Sequence, residues 1–127
     1  MTTKLAPLLA AALLVGTFLT PALAGVYPVS GRWTYENALE RGPARDCRGD
    51  RHMDFGAERR FDNSGGVPDF RNVRVVRTGL SAYYIVDEFL TAQVRGRTSF
   101  SLVVLDEDHI RIQLEASGKT FVLRRCA

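Results

Sequence analysis

Short runs in which apolar and polar side chains alternate, each stopped by Gly, Asp, Asn or Ser, occupy most of the chain after Gly25. A period of two belongs to the half-buried β-strand, whose successive side chains point to opposite faces. No window from 25 to 127 carries a persuasive apolar stripe at helical spacing. The first strand is expected at Gly31-Arg32-Trp33-Thr34-Tyr35, followed by Arg51 to Phe55, with Met53 and Phe55 on one side, and by Glu58 to Phe61. Asp62-Asn63-Ser64-Gly65-Gly66 is a strong turn cluster. Phe70, Val73 and Val75 then lead into a run ending near Arg77.

Leu80 to Val86 reads as one strand and Phe89 to Val94 as the next. Asp87-Glu88 makes a poor tight turn, which leaves open a single bent strand or one helical turn over 87–94. Arg95-Gly96-Arg97 breaks the pattern before Phe100 to Leu105, and Asp106-Glu107-Asp108 joins that strand to His109 to Leu114. Ser117-Gly118 turns the chain into Phe121, Val122 and Leu123, which end at Cys126. Asn37 to Arg45 is the one irregular insertion, with room for a short helix. Seven or eight short strands with tight connections predict an all-β, antiparallel up-and-down meander. Such a sheet loses its exposed edges by closing, so a small barrel is expected.

The start of the chain predicts export. Lys4 precedes an apolar run from Leu5 to Leu19, Pro21 ends it, and Ala22-Leu23-Ala24 fits the small-x-small pattern of a cleavage site. The run is shorter than the roughly 20 apolar residues a membrane-spanning helix needs. Residues 1–24 are therefore expected to be a signal peptide and 25–127 a single domain. Val26 stands where a lipoprotein would carry its cysteine. The expected mature protein is soluble, periplasmic and not lipid-anchored.

Export decides how the two cysteines are read. In an oxidising compartment, two cysteines in a small domain pair, so a structural disulfide is expected between Cys47 and Cys126. Closing so long a loop stabilises by roughly 4–5 kcal/mol in the chain-entropy account. A domain of about this size buries at most two thirds or so of its unfolded surface and benefits from such a staple.

The residues give little support to catalysis. Ser99 and Ser101 alternate with Phe100 and Leu102 as ordinary strand positions, and no Gly-x-Ser-x-Gly elbow occurs. Gly65-Gly66 lacks the helix and lysine of a phosphate-binding loop. His52 with Asp54, and His109 beside Asp106-Glu107-Asp108, carry metal-ligand atoms. They read more simply as a strand face and an acidic turn, since Asp favours turns for local hydrogen-bonding reasons. Arginine far outnumbers lysine, which stands only at 4 and 119, yet Arg41, Arg45, Arg48, Arg51, Arg59 and Arg60 alternate with Glu40, Asp46, Asp50, Asp54 and Glu58. That interleaving removes the positive field that phosphate binding requires. No metal, cofactor, nucleic acid or enzyme activity is expected.

Gly31-Arg32-Trp33 on the first strand resembles the opening of lipocalin-like and avidin-like barrels, in which the Trp plugs one end of the barrel. With Cys47 following, it also resembles the small periplasmic inhibitors of secreted metalloproteases, although those close a short disulfide loop and Cys47 here has its partner at Cys126. Ser117-Gly118-Lys119-Thr120-Phe121 is similar to the Ser-Gly-x-x-Tyr loop of periplasmic C-type lysozyme inhibitors, with Phe121 in place of the Tyr.

Two functions follow as expectations. One is a non-enzymatic exported protein-binding module, an inhibitor of a lytic enzyme such as lysozyme or a protease. It would act through Ser117, Gly118 and Lys119, or through the loop from Asn63 to Gly66. The other is a lipocalin-like carrier of a small apolar ligand. Trp33, Phe55, Tyr83, Ile85, Phe100, Ile112 and Phe121 would line its cavity, or else simply form the core.

Overall fold

A computed structural model describes residues 26–36, 47, 51–64, 66–91 and 95–126. Eight strands run in chain order: β1 (Gly31–Tyr35), β2 (His52–Phe55), β3 (Arg59–Asp62), β4 (Asp69–Arg77), β5 (Ala82–Leu90), β6 (Arg95–Val104), β7 (His109–Leu114) and β8 (Thr120–Arg125). Each pairs antiparallel with the next, and β8 pairs with β1 to close the barrel. The fold is thus the closed up-and-down meander expected from the alternation. The expected leader over 1–24, the insertion over Asn37–Arg45 and the glycine at 65 lie outside the described residues.

Register follows from which side chains must be inside. Around the barrel, Trp33 pairs with Met53, Phe55 with Arg60, Arg60 with Phe70, and Phe70 with Phe89. Ile85 then pairs with Phe100, Leu102 with Ile112, Ile110 with Leu123, and Trp33 with Arg125. Directly paired residues share a face, so these rows line the interior. Trp33, Ile85, Leu102, Ile110 and Leu123 have no exposed surface.

Of the alternatives left open at Asp87-Glu88, the single strand holds: β5 runs unbroken from Ala82 to Leu90, and residues 92–94 lie outside the described residues. The charged pair Asp87-Glu88 reads as a break because acids fit poorly on a pleated sheet. Here Asp87 points inward to bonding partners, whereas Glu88 takes an ion pair from Arg71 at 2.9 Å. Arg95-Gly96-Arg97 likewise lies inside β6. Gly96 pairs with Phe89, and a Cβ there would collide with the Phe89 ring; glycine here makes room for an aromatic neighbour.

In β4 the register shifts between Asn72 and Arg74. A strict alternation that put Asn72 inside would also put Arg74 inside. The extra residue, Val73, restores Arg74 to the surface and leaves Val75 packed against the core.

Cys47 and Cys126 form the disulfide, across a sequence separation of 79. It ties the chain just before β2 to the end of β8, beside the seam where β8 meets β1. One end of the barrel is closed by residues 27–30. Tyr27 N–H donates to the Ala57 carbonyl, Trp33 Nε1 donates to the Ser30 carbonyl, and the Arg125 guanidinium lies 4.5 Å from the Trp33 ring centre. No helix among the described residues is long and apolar enough to cross a membrane.

Candidate functional site

At the opposite end the described residues leave a mouth between the strand ends. A cavity of about 720 Å³ extends from that mouth into the interior, with a volume typical of small-molecule sites. Its walls carry Met53, Phe70, Phe100, Ile112, Leu114 and Phe121. Tyr35 and Phe121 meet edge to face with ring centres 5.5 Å apart. At the rim stand Glu36, Arg51 and Lys119, all exposed.

Below the apolar walls lies a buried polar group built from four elements. Asp87, on β5, has no exposed surface. Its Oδ1 accepts from the Tyr27 hydroxyl at 2.9 Å and from Asn72 Nδ2 at 3.1 Å, and its Oδ2 accepts from Arg60 Nε at 2.7 Å. The Arg60 guanidinium carbon lies 4.0 Å from the ring centre of Phe70 and 4.8 Å from that of Phe100. Burial, and then the carboxylate of Asp87, push the Tyr27 hydroxyl far above the ordinary phenol range. It therefore serves as a neutral donor.

Nearer the mouth is a second carboxylate, Asp62. Its Oδ2 accepts from the Tyr35 hydroxyl at 3.0 Å and its Oδ1 from the Ser64 N–H at 3.0 Å. Arg60 Nη1 lies 3.6 Å from Oδ2. Burial above all raises Tyr35 to about 12. Arg60, Asp62 and Tyr35 all line the cavity, so its floor is ionic although its walls are apolar.

The residues expected to line a cavity divide into two sets. Phe100, Ile112 and Phe121 are on its wall. Trp33, Phe55 and Ile85 are buried core, and Tyr83 packs against that core, all away from the cavity. Trp33 instead sits at the closed end.

Of the proposed partner-binding turn, Ser117, Gly118 and Lys119 are all exposed, and Lys119 reaches the cavity rim. Gly118 adopts a φ of 70°, a conformation that only glycine takes readily, and its N–H closes the turn on the Leu114 carbonyl at 2.9 Å. Asn63 is bound into the fold by accepting from the His52 N–H at 2.8 Å.

Sequence reasoning missed Arg60, Asp62 and Asp87. Arg60 and Asp62 take inward positions on β3 opposite Phe55 and Met53, and Asp87 stands two residues from Ile85 on β5, so it is the strand register that reveals them. The two histidines sit apart, His52 3.6 Å from Asp54 and His109 2.8 Å from Asp106. The His109 hydrogen bond, foremost, holds the Asp106 carboxyl below its ordinary range. Among the described residues no three His, Cys, Asp or Glu side chains come together as a metal-binding group.

Comparison with protein-family models, with curated proteins and with solved structures finds no match. A barrel alone hosts many functions, and this cavity is the feature that sets this one apart from a barrel filled by its own side chains.

Proposed function

We propose that the protein is a non-enzymatic, exported carrier that holds a small amphipathic molecule inside its barrel. The observation that carries this reading is the open cavity of about 720 Å³, with apolar walls and an ionic floor. An eight-stranded barrel is about the smallest that encloses a ligand, and many of that size are filled by their own side chains. Leaving such a volume open forgoes packing contacts that a small domain needs. A cavity retained at that cost is best accounted for by an occupant. The polar floor extends the sequence-based expectation of a purely apolar ligand. The disulfide and the leader-like start of the chain both favour a periplasmic setting.

The test is uptake of an uncharged environment-sensitive dye, N-phenyl-1-naphthylamine, by the purified protein. Saturable fluorescence enhancement is expected, and Leu114→Trp, which fills the cavity from its wall, is expected to abolish it. Absence of enhancement by the folded protein would defeat the carrier reading.

A second reading, inhibition of a lytic enzyme, draws on the exposed Ser117-Gly118-Lys119 turn at the rim. An inhibitor acting through that turn would block C-type lysozyme or a secreted protease at micromolar concentration. It would do so even with the cavity filled by the Leu114→Trp side chain.

A further inference from the structure

Charge in this buried cluster is unbalanced: its one guanidinium, Arg60, lies between two carboxylates, Asp87 at 2.7 Å and Asp62 at 3.6 Å. Tyr27 and Tyr35 remain neutral phenols and donate to those carboxylates. One negative charge is therefore in excess, and burial makes that excess costly unless something answers it.

The two carboxylates differ in access. Asp87 has no exposed surface and both its oxygens are in use. Asp62 retains 14 % side-chain exposure and lines the cavity. It has one hydrogen-bond donor on each oxygen, from Tyr35 and from Ser64, and a carboxylate can accept about four. Arg60 is less accessible to a ligand: its side chain is only 4 % exposed, its Nε is committed to Asp87, and its Nη1 lies 3.8 Å from Met53 Sδ. The more accessible unspent capacity on this floor is thus acceptor capacity, carried by a negatively charged group.

A further carboxylate here would meet two of its own kind. An ammonium group has three donors and no acceptor, and it would neutralise the excess. The Phe121 ring borders the same space, and a ring face attracts a cation. The exposed rim charges, Arg51 and Lys119 against Glu36, oppose a cation only weakly, because solvent and salt screen them.

We propose that the cavity selects a small amphipathic amine, with its protonated nitrogen on Asp62 and its apolar body against Phe121, Ile112 and Leu114. This inference rests on the carrier reading above.

The test compares three probes that share one ring system and differ in head group: tryptamine, tryptophol and indole-3-acetate, each titrated calorimetrically into the purified protein at neutral pH. Tryptamine is expected to bind about tenfold or more tighter than tryptophol, as a hydrogen bond to a charged group warrants, with indole-3-acetate weakest. In Asp62→Asn, the preference for tryptamine over tryptophol is expected to be lost. If Asp62→Asn does not fold, the order of the three probes on the native protein decides. Indole-3-acetate binding as tightly as tryptamine would overturn the amine inference, as would an amine preference that survives Asp62→Asn. Uptake of N-phenyl-1-naphthylamine with no binding of tryptamine would overturn it too, leaving the carrier reading standing. Binding of neither would remove both.

Discussion

A carboxylate without exposed surface must have its charge met from within, and Asp87 is met three times, by Tyr27, Asn72 and Arg60. Removing one member of such a group leaves the others buried and unmatched, which costs about 3–5 kcal/mol, more than the pair gains over an apolar replacement. Asp87→Asn is therefore expected to lower the unfolding free energy by about that amount in urea titrations. Arg60→Met is expected to cost less in the Asp87→Asn background than in the native one, with a coupling energy of about 0.5–3 kcal/mol across the double-mutant cycle. Additive effects would show that the two side chains do not act as a unit. These are also the residues that the sequence concealed. Arginine and aspartate in an alternating run are normally the solvent face, and Arg59-Arg60 or Asp87-Glu88 offers no cue to which member turns inward. Only the register, set by Phe55, Phe70 and Ile85 as neighbours, decides it.

At the scale of elements, the alternation carried β7 without error and most of the other strands to within a few residues, because their inward steps are apolar. It failed where a strand passes through a charged pair or a glycine, at Asp87-Glu88 and Gly96, since local preference there disfavours a strand and long-range partners override it. The bulge in β4 was equally hidden: Val73 and Val75 look like one face until Asn72 is known to point inside. The cysteine pairing was legible, because two cysteines allow one bridge. Its energetic weight falls on the seam, where the short β1 joins β2 and β8 and where Cys126 N–H donates to the Arg32 carbonyl. Replacing both cysteines, Cys47→Ser with Cys126→Ser, is expected to lower stability by roughly 2–5 kcal/mol, mostly by freeing the unfolded chain. Thermal unfolding followed by circular dichroism checks it. A melting temperature unchanged from that of the oxidised protein would mean that strand pairing alone holds the seam.

For the whole molecule, the two ends of the barrel respond to alkali through the same chemistry. Tyr27 lies beneath the closed end and Tyr35 at the mouth, and each donates its hydroxyl to a carboxylate. Both phenols are raised from their ordinary value of 10.0, mainly by burial, Tyr35 to about 12 and Tyr27 beyond it. Below pH 10 these groups are protonated in the folded and unfolded chain alike, and their contribution is intact. Above it the unfolded chain ionises them while the folded barrel keeps them protonated, so every further step in pH favours unfolding. The loss from Tyr35 runs from pH 10 to about 12, and that from Tyr27 continues past it. Of the four tyrosines, these two are expected to develop tyrosinate absorbance only as the circular dichroism of the barrel collapses. In Tyr27→Phe with Tyr35→Phe that late absorbance is expected to vanish and the alkaline fall in stability to flatten. The double variant should nonetheless start from lower stability at neutral pH, because Asp87 and Asp62 each lose a donor. Tyrosinate absorbance that is complete while the barrel is still folded would instead place both hydroxyls in contact with water, and with it would fall the buried ionic cluster from which the ligand class was inferred.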